Sequence, residues 1–357
     1  MTIREFSSFL KDRRVLGLGA AFFLLLSIGL SLGWILFTPI VPEGETATVL
    51  KIRRGMSFNA IVETLQKNGQ IQSAGKFRLA AKILGVRDEL KSGKYEIRPG
   101  SSTYRLLRQL SEGDVVVERV TIPEGKTARQ IASILARRIE IDSTRFMQLV
   151  KDSTFAHRLN VDADGLEGFL FPETYNLRWG VRAAEVIELM VKTFQQRFTA
   201  EMRQRAEELG MSVPEVVTLA SIIEGEAVVD SERRRISSVY HNRLKRHMLL
   251  QADPTIQYII DGAPRRLLSR DLEIDSPYNT YKYPGLPPGP ICNPGLASLK
   301  AALYPEKSNY LYFVANGDGS HTFSRTFKEH LRAKAKFDRY RRRVNQKRRG
   351  VGHGSKG

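Results

Sequence analysis

Residues 212–226 read SVPEVVTLASIIEGE, and this stretch predicts a buried helix that ends in acidic residues. Ser212 and Glu215 have the S-x-x-E spacing of a capping box, Pro214 falls in the first turn, and an apolar run follows. The residues that share the helical face of Glu224 are small or apolar. A carboxyl in such surroundings is poorly hydrated, so we expect it to hold a proton near neutral pH and to serve as a general acid.

The same stretch leaves a second interpretation open for its first acid. Residues 233–235 are all arginine, so Glu224 is also a candidate for a structural ion pair. Glu226 lies two residues further on, about 200° around the helix at ~100° per residue, and the two carboxyls therefore cannot act as one pair.

An uncharged segment at residues 15–37 is long enough to cross a membrane. It has 23 residues, and a spanning helix needs about 20. Four Lys or Arg residues precede it within residues 1–14, and Glu43 and Glu45 follow it, so the positive-inside rule predicts a cytoplasmic N-terminus and a periplasmic remainder. The segment is too long for a typical signal peptide, and residues 38–40 (TPI) are a poor cleavage site. We expect an uncleaved, single-pass anchor in the cytoplasmic (inner) membrane.

Composition limits the remaining classes of function. Cys292 is the single cysteine and the six histidines are scattered, so no intrachain disulfide, metal centre or cofactor is expected. Much of the net charge of +18 lies from residue 325 onward, where thirteen Lys or Arg and two acids give +11. The basic tail at residues 331–357 suits anionic lipid or cell-wall carboxylates, or it is a solvated helix end. Nucleic acid is disfavoured as a partner because an exported chain rarely meets it.

A short pattern occurs three times after the uncharged segment. In each copy an isoleucine is followed three residues later by a glycine, which is Gly55, Gly100 or Gly125, and then by an amphipathic run. Each copy predicts a strand, a turn that needs glycine, and a helix. With one more helix between the first two copies, residues 48–98 read strand, helix, helix, strand. That order resembles the LysM module, a peptidoglycan-binding fold, so residues 38–120 are expected to form a LysM-like module.

Several polar and aromatic motifs follow residue 162. The run LEGFLFPETY at 166–175 places aromatic faces beside acceptor groups, which suits sugar rings. LQADPT at 250–255 contains a turn signal, and SPYNTY at 276–281 leads into a rigid Pro- and Gly-rich loop. YLYFVANGDGSHTF at 310–323 predicts a strand, a tight turn and a second strand.

Taken in order with ASIIEGE at 220–226, these motifs resemble the YceG-like family of endolytic murein transglycosylases, from the uncharged segment to about residue 327. The resemblance implies a lyase that cleaves MurNAc-GlcNAc bonds in nascent peptidoglycan, leaves 1,6-anhydro-MurNAc ends and terminates strand elongation. It also implies peptidoglycan synthases as partners. The catalytic acid of the family falls on Glu224. Where the family commonly has E-K-E-T this chain reads EGEA, so the role of Glu226 stays open.

The expected mechanism uses one carboxyl twice. Glu224 protonates the leaving GlcNAc oxygen, and its carboxylate then removes the proton of the muramyl C6 hydroxyl, which attacks C1. Other polar residues of the motifs are candidates for binding the sugar or orienting Glu224, each with a structural alternative as a cap, turn or core hydroxyl. They are Glu167, Tyr175, Gln251, Asp253, Tyr278, Asn279, Tyr281 and His321.

Two other functions fit the same sequence. A hydrolytic muramidase would need a second carboxylate, for which Glu167 and Asp253 are candidates. A non-catalytic peptidoglycan-binding scaffold would use the LysM-like module and the basic tail. The expected fold class is α+β, with a transmembrane helix, the LysM-like βααβ module, and a mainly helical catalytic domain with a small β-sheet at residues 121–330.

Overall fold

The structure is a computed structural model that describes residues 13–40, 46–260, 262 and 265–351. The predicted cytoplasmic segment before residue 13, the acids Glu43 and Glu45, and the end of the basic tail after residue 351 lie outside the described residues. The chain divides into two compact units. The first contains the residues up to Glu118 together with Leu177–Gly180, and the second contains Arg119–Asn176 and the residues from Val181 onward.

The first unit begins with helix α1, Arg13–Phe37. Its segment Gly17–Phe37 has 21 residues and a mean hydropathy of 2.2, and none of its most apolar window is buried. By length and composition it could cross a membrane, as an anchor or as a signal sequence. Near its end, the ammonium of Lys76 lies 3.5 Å from the centre of the Trp34 ring.

The predicted order of strand, helix, helix and strand is confirmed in this unit. Strand β1 pairs antiparallel with β2, and Leu50 lies opposite Tyr95, which places both side chains in the core. The elements are β1 Thr48–Ile52, α2 Phe58–Lys67, α3 Ala74–Leu84, β2 Gly93–Ile97 and α4 Thr103–Glu112. The binding of glycan by this module stays a prediction.

The three predicted glycine turns are also present. Gly55, Gly100 and Gly125 have φ values of 78°, 73° and 71°, a region that side chains rarely adopt. In each copy the glycine lies between a strand, or its end, and the next helix. The repeated sequence pattern therefore reports a repeated local structure, and the third copy carries the chain into the second unit.

The second unit is mainly helical and also contains an antiparallel pair of short strands. Its helices are α5 Ala128–Ile139, α6 Ser143–Val150, α7 Ser153–Arg158, α8 Ala183–Arg197, α9 Ala200–Glu208, α10 Val213–Glu226, α11 Arg233–Lys245, α12 Asp253–Ile259, α13 Leu296–Leu303 and α14 Phe327–Val351. The remaining strands are β3 Val117–Thr121, which pairs with β4 Thr174–Arg178, and β5 Tyr312–Ala315, which pairs with β6 His321–Ser324.

Helix α10 forms the centre of this unit. The predicted capping box is confirmed, because the N–H of Glu215 donates to Oγ of Ser212 at 3.3 Å and the N–H of Ser212 donates to Oε2 of Glu215 at 2.7 Å. All residues from 216 to 223 are buried, and helices α11, α12 and α13 pack against α10. A helix surrounded on all sides places only its ends near the surface. Its final acids, Glu224 and Glu226, therefore lie where the core meets solvent.

Candidate active site

Glu224 is a sheltered carboxyl held by two groups from other parts of the chain. Its side chain is 8% exposed, and Oε2 lies 3.2 Å from Nη1 of Arg233. The same oxygen accepts a hydrogen bond of 3.1 Å from the backbone N–H of Gly295. Arg233 is held in turn by Asp230 at 2.9 Å and by Oγ of Ser298 at 2.5 Å. The ion pair that the arginine run suggested is therefore present, and it fixes the direction of the Glu224 carboxyl.

A second carboxyl, which the sequence analysis missed, lies beside Glu224. Glu124 is in the turn between β3 and α5, and a Cβ atom built on Gly295 would come within 1.9 Å of its Oε1. The Glu124 carboxyl therefore rests against the backbone that binds Glu224. Burial raises the pKa of Glu124, the charge of Glu224 raises it further, and Arg233 opposes the shift. The repeated pattern drew attention to Gly125 in this turn and gave no signal for its neighbour.

Glu167 has the structural hydrogen bonds that were its alternative role. Its two oxygens accept from the N–H of Ala128, the first residue of α5, at 2.9 and 3.1 Å. Asn293 donates a further bond of 2.8 Å. Burial raises the pKa of Glu167 to about 7, although both hydrogen bonds act in the opposite direction. Glu167 also lines the cleft described below, and a direct role in substrate binding stays a prediction.

Glu226 points away from Glu224, as the helical geometry predicted. Its Oε1 accepts a hydrogen bond of 3.0 Å from the hydroxyl of Tyr240. Burial raises the pKa of Glu226 to about 7, and the charge of Asp253 adds to the shift. Asp253 itself accepts a hydrogen bond from the hydroxyl of Tyr281. Ala252 is the N-cap residue of α12 and Asp253 lies in its first turn, so Asp253 does not occupy the N-cap position that was its alternative role.

An open cleft with a volume of about 1370 Å³ lies within the second unit. It contains two of the candidate carboxyls, Glu167 and Asp253, and two aromatic side chains, Tyr258 and Tyr278. The two rings are 5.1 Å apart between centroids. Gly125 and Gly225 also line the cleft, and a Cβ atom on Gly125 would lie 3.5 Å from Cγ of Glu224, so the Glu224 side chain packs behind this part of the cleft wall. Aromatic faces beside acceptors suit sugar rings, which combine apolar C–H faces with hydroxyls.

Two of the predicted site residues have their side-chain hydrogen bonds inside the protein. Tyr175 is buried, and its hydroxyl donates to the carbonyl of Phe171 at 2.6 Å. Asn279 is fully buried, and its amide donates to the carbonyls of Leu272 and Ile274 at 3.0 and 2.7 Å. These contacts shape the loops, and a direct role of either residue in substrate binding stays a prediction.

Two further candidates differ in exposure, because the His321 side chain is only 8% exposed and Gln251 is exposed. His321 in β6 pairs with Glu232, with Nδ1 at 2.8 Å from Oε2. Gln251 has an unusual φ of 48°, and its N–H donates to the carbonyl of Thr280 at 3.0 Å. A non-glycine residue with positive φ is uncommon and is often found at functional sites. The contribution of both residues to substrate binding also stays a prediction.

Asn293 connects three loops of the site, although sequence reasoning assigned it no role. Its Oδ1 accepts from the N–H of Leu170 at 2.9 Å. Its Nδ2 donates to the carbonyl of Lys126 at 2.9 Å and to Glu167 at 2.8 Å. Among the described residues, no group of three or more His, Cys, Asp or Glu is arranged to hold a metal ion.

These features coincide with a match to a known family. The chain belongs to the YceG-like family, whose model matches residues 50–336. It is 35% identical over 321 residues to an endolytic murein transglycosylase of Bacillus subtilis strain 168, covering 85% of this chain and 88% of that protein. The resemblance inferred from the motifs is therefore confirmed.

Two other proteins extend the comparison. An endolytic murein transglycosylase of Streptococcus pneumoniae strain D39 is 30% identical over 309 residues, which cover 78% of this chain and 56% of that protein. This chain thus spans just over half of the streptococcal relative. The crystal structure of a yceG-like protein of Listeria monocytogenes superposes with a TM-score of 0.57 at 36% identity, covering 80% of this chain and 98% of that one.

Proposed function

We propose that this chain is an endolytic murein transglycosylase held at the cytoplasmic membrane. It cleaves MurNAc-GlcNAc bonds within nascent peptidoglycan strands, leaves 1,6-anhydro-MurNAc ends and so terminates strand elongation. The observation that carries the proposal is the sheltered Glu224 carboxyl, held by Gly295 and Arg233 beside a tyrosine-lined cleft. The names of the Bacillus and Streptococcus relatives support the same chemistry.

Glu224 is the group that moves protons in this reaction. Both of its protein contacts use Oε2, so Oε1 is the atom assigned to the substrate. As the bond between C1 of MurNAc and the GlcNAc oxygen breaks, Glu224 gives its proton to that oxygen. The C6 hydroxyl oxygen of the same MurNAc attacks C1, and its proton passes to the Glu224 carboxylate. The acid returns to its starting state and no water is consumed.

Arg233 has a defined part in this sequence of steps. Between the two proton transfers Glu224 carries a negative charge in a sheltered place, and an ionised carboxyl there is costly without a partner. The guanidinium at 3.2 Å stabilises that carboxylate, and the Gly295 N–H holds the same oxygen in place. Because the donor and the cation are already in position, they stabilise the carboxylate without reorganising during the reaction.

The cleft provides the binding surface for the glycan. Tyr278 and Tyr258 offer ring faces to the sugars, while Asp253 and Glu167 offer oxygens to hydroxyl groups. The βααβ module in the first unit acts as a LysM-like binder of glycan. Helix α1 keeps the enzyme in the cytoplasmic membrane, where synthases release new strands.

Digestion of peptidoglycan tests the reaction. The full-length chain in detergent is incubated with un-crosslinked glycan strands, and the products are weighed by mass spectrometry. We expect muropeptides one water lighter at the muramyl end, absent with Glu224→Gln and unchanged with Glu188→Gln, an exposed carboxyl of α8. Ordinary reducing ends would indicate a muramidase instead. Binding to strands without cleavage would indicate a scaffold.

A reporter fusion tests the location. An enzyme that is active only outside the cytoplasm is fused after Gly357 and assayed in whole cells. Activity is expected because the residues before α1 stay in the cytoplasm and the remainder is exported. An inactive reporter on a stable, full-length fusion would contradict this orientation.

A further inference from the structure

The carboxyls of Glu124 and Glu224 both lie against the backbone of Gly295. The N–H of Gly295 donates to Oε2 of Glu224 at 3.1 Å. A Cβ atom on Gly295 would be 1.9 Å from Oε1 and 2.0 Å from Cδ of Glu124, so that carboxyl occupies the space a side chain would need. Both carboxyls thus lie against Gly295, and any larger residue there would displace the Glu124 carboxyl.

The turn that carries Glu124 is fixed in place. Gly125 donates its N–H to the carbonyl of Asn293 at 2.9 Å, and Asn293 donates its own N–H to the carbonyl of Lys126 at 3.0 Å. A Cβ atom on Gly125 would lie 3.5 Å from Cγ of Glu224, which is van der Waals distance. These contacts hold the turn against Glu224 and against the loop that contains Gly295. The proximity of Glu124 is therefore built into the fold.

The charges around this point are unbalanced. Arg233 from α11 is faced by Glu224 from α10, by Asp230 from the short helix that precedes α11, and by Glu124 from the β3–α5 turn. Three carboxylates on one guanidinium repel one another, and binding one proton relieves that repulsion. Asp230 is 84% exposed, so water stabilises its charge. The proton therefore belongs to the two more sheltered acids, and burial together with Glu224 raises the pKa of Glu124.

We propose that Glu124 is a positioning residue of the catalytic site, and that Glu124 and Glu224 hold one proton between them beside Arg233. The ion pair alone would favour an ionised Glu224, which could not protonate a leaving oxygen. The negative charge of Glu124 opposes that effect and favours the binding of a proton by the pair. This inference rests on the proposed transglycosylase function, in which Glu224 delivers that proton and recovers one from the C6 hydroxyl.

The pH dependence of strand cleavage tests the role of Glu124. Initial rates of the full-length protein are measured across the alkaline range for the unmodified chain, Glu124→Gln and Glu124→Asp, with Glu188→Gln as the exposed-carboxyl control. Glu124→Gln removes the charge, so the alkaline limb of the kcat profile should move about one pH unit lower. The reason is that a like charge nearby raises the pKa of a carboxyl by about that much. Glu124→Asp retains the charge, so its limb should stay in place even if its rate falls.

Gly295→Ala provides a second, independent variant. Its methyl group would displace the end of the flexible Glu124 side chain at little cost in stability, and it should lower the alkaline limb as Glu124→Gln does. Gly75→Ala, whose Cβ atom would meet nothing closer than 3.8 Å, is the matched control. A rate loss equal at every pH would give Glu124 a purely structural role and overturn the inference. If the unmodified chain forms no anhydro ends, the proposed function fails instead.

Discussion

The side-chain amide of Asn293 donates a hydrogen bond of 2.8 Å to Oε1 of Glu167, although 126 positions separate the two residues in the chain. The same side chain also bonds to Leu170 and Lys126, and it is fully buried. One asparagine therefore joins the three loops that border the cleft near Glu224. Side-chain hydrogen bonds join these loops because irregular segments cannot pair their buried backbone polar groups within a helix or a sheet.

Replacing Asn293 by alanine should destabilise the second unit. The change leaves the buried N–H of Leu170 without its partner, which costs about 1–3 kcal/mol. It also removes one of two hydrogen bonds from the carbonyl of Lys126 and one of two from Oε1 of Glu167. We expect a loss of about 2–4 kcal/mol in the free energy of unfolding, measured by urea denaturation. Asn176→Ala, at an exposed position of β4, is the control and should change stability by less than about 0.5 kcal/mol. Equal midpoints for the two variants would mean that the loops are held by other contacts.

Arg233→Lys should reduce catalysis more than substrate binding. Lysine keeps the positive charge, but its single ammonium cannot reproduce the geometry by which the guanidinium contacts Glu224, Asp230 and Ser298 together. Without that support the Glu224 carboxyl loses its fixed direction. We expect kcat for strand cleavage to fall at least about tenfold with KM nearly unchanged.

The control for this variant is Arg145→Lys, an exposed arginine in α6. It should leave both kinetic constants unchanged. A normal kcat for Arg233→Lys would show that any nearby cation is sufficient, and that the orientation of the pair has no catalytic role.

Features set by neighbouring residues could be predicted from the sequence, and features set by packing could not. The capping box at Ser212 and the glycine turns depend on a few consecutive side chains, and they were predicted correctly. The contacts of Glu124 with Gly295 and of Asn293 with Glu167 join residues far apart in the chain, and no local pattern marks them. The Arg233 ion pair lies between these cases, because the arginine run indicated a partner and packing selected which one.

The stability of the second unit should decrease as pH rises through neutrality. Burial raises the pKa of both Glu167 and Glu226 from 4.5 to about 7. The folded state therefore binds these protons more tightly than the unfolded state, so the contribution is fully present below about pH 4.5 and is lost as pH rises through about 7. Because cleft water screens both groups, each should contribute on the order of 1–2 kcal/mol. Melting temperatures measured from about pH 5 to about pH 8 should fall.

Glutamine variants assign this pH dependence to the two residues. Glu226→Gln removes the titration but keeps an acceptor for Tyr240, so its melting temperature should vary less with pH than that of the unmodified chain. Glu167→Gln should behave in the same way, and Glu188→Gln should keep the full dependence. If the melting temperatures of all three variants still fall with pH as that of the unmodified chain does, other groups titrate in this range. The shifted pKa values of Glu167 and Glu226 would then have no effect on folding.

Tyr278 should contribute to glycan affinity through its ring. The ring lies in the cleft at 5.1 Å from that of Tyr258, so the pair can present an extended aromatic surface to a sugar. Tyr278→Ala should raise KM for defined strands about tenfold, equivalent to ~1.4 kcal/mol, with a smaller change in kcat. Tyr278→Phe keeps the ring and should stay within about threefold of the unmodified KM. Tyr283→Ala removes an exposed ring from the same loop and should leave KM unchanged. If the alanine and phenylalanine variants of Tyr278 are equally weak, the hydroxyl binds the glycan and ring stacking does not.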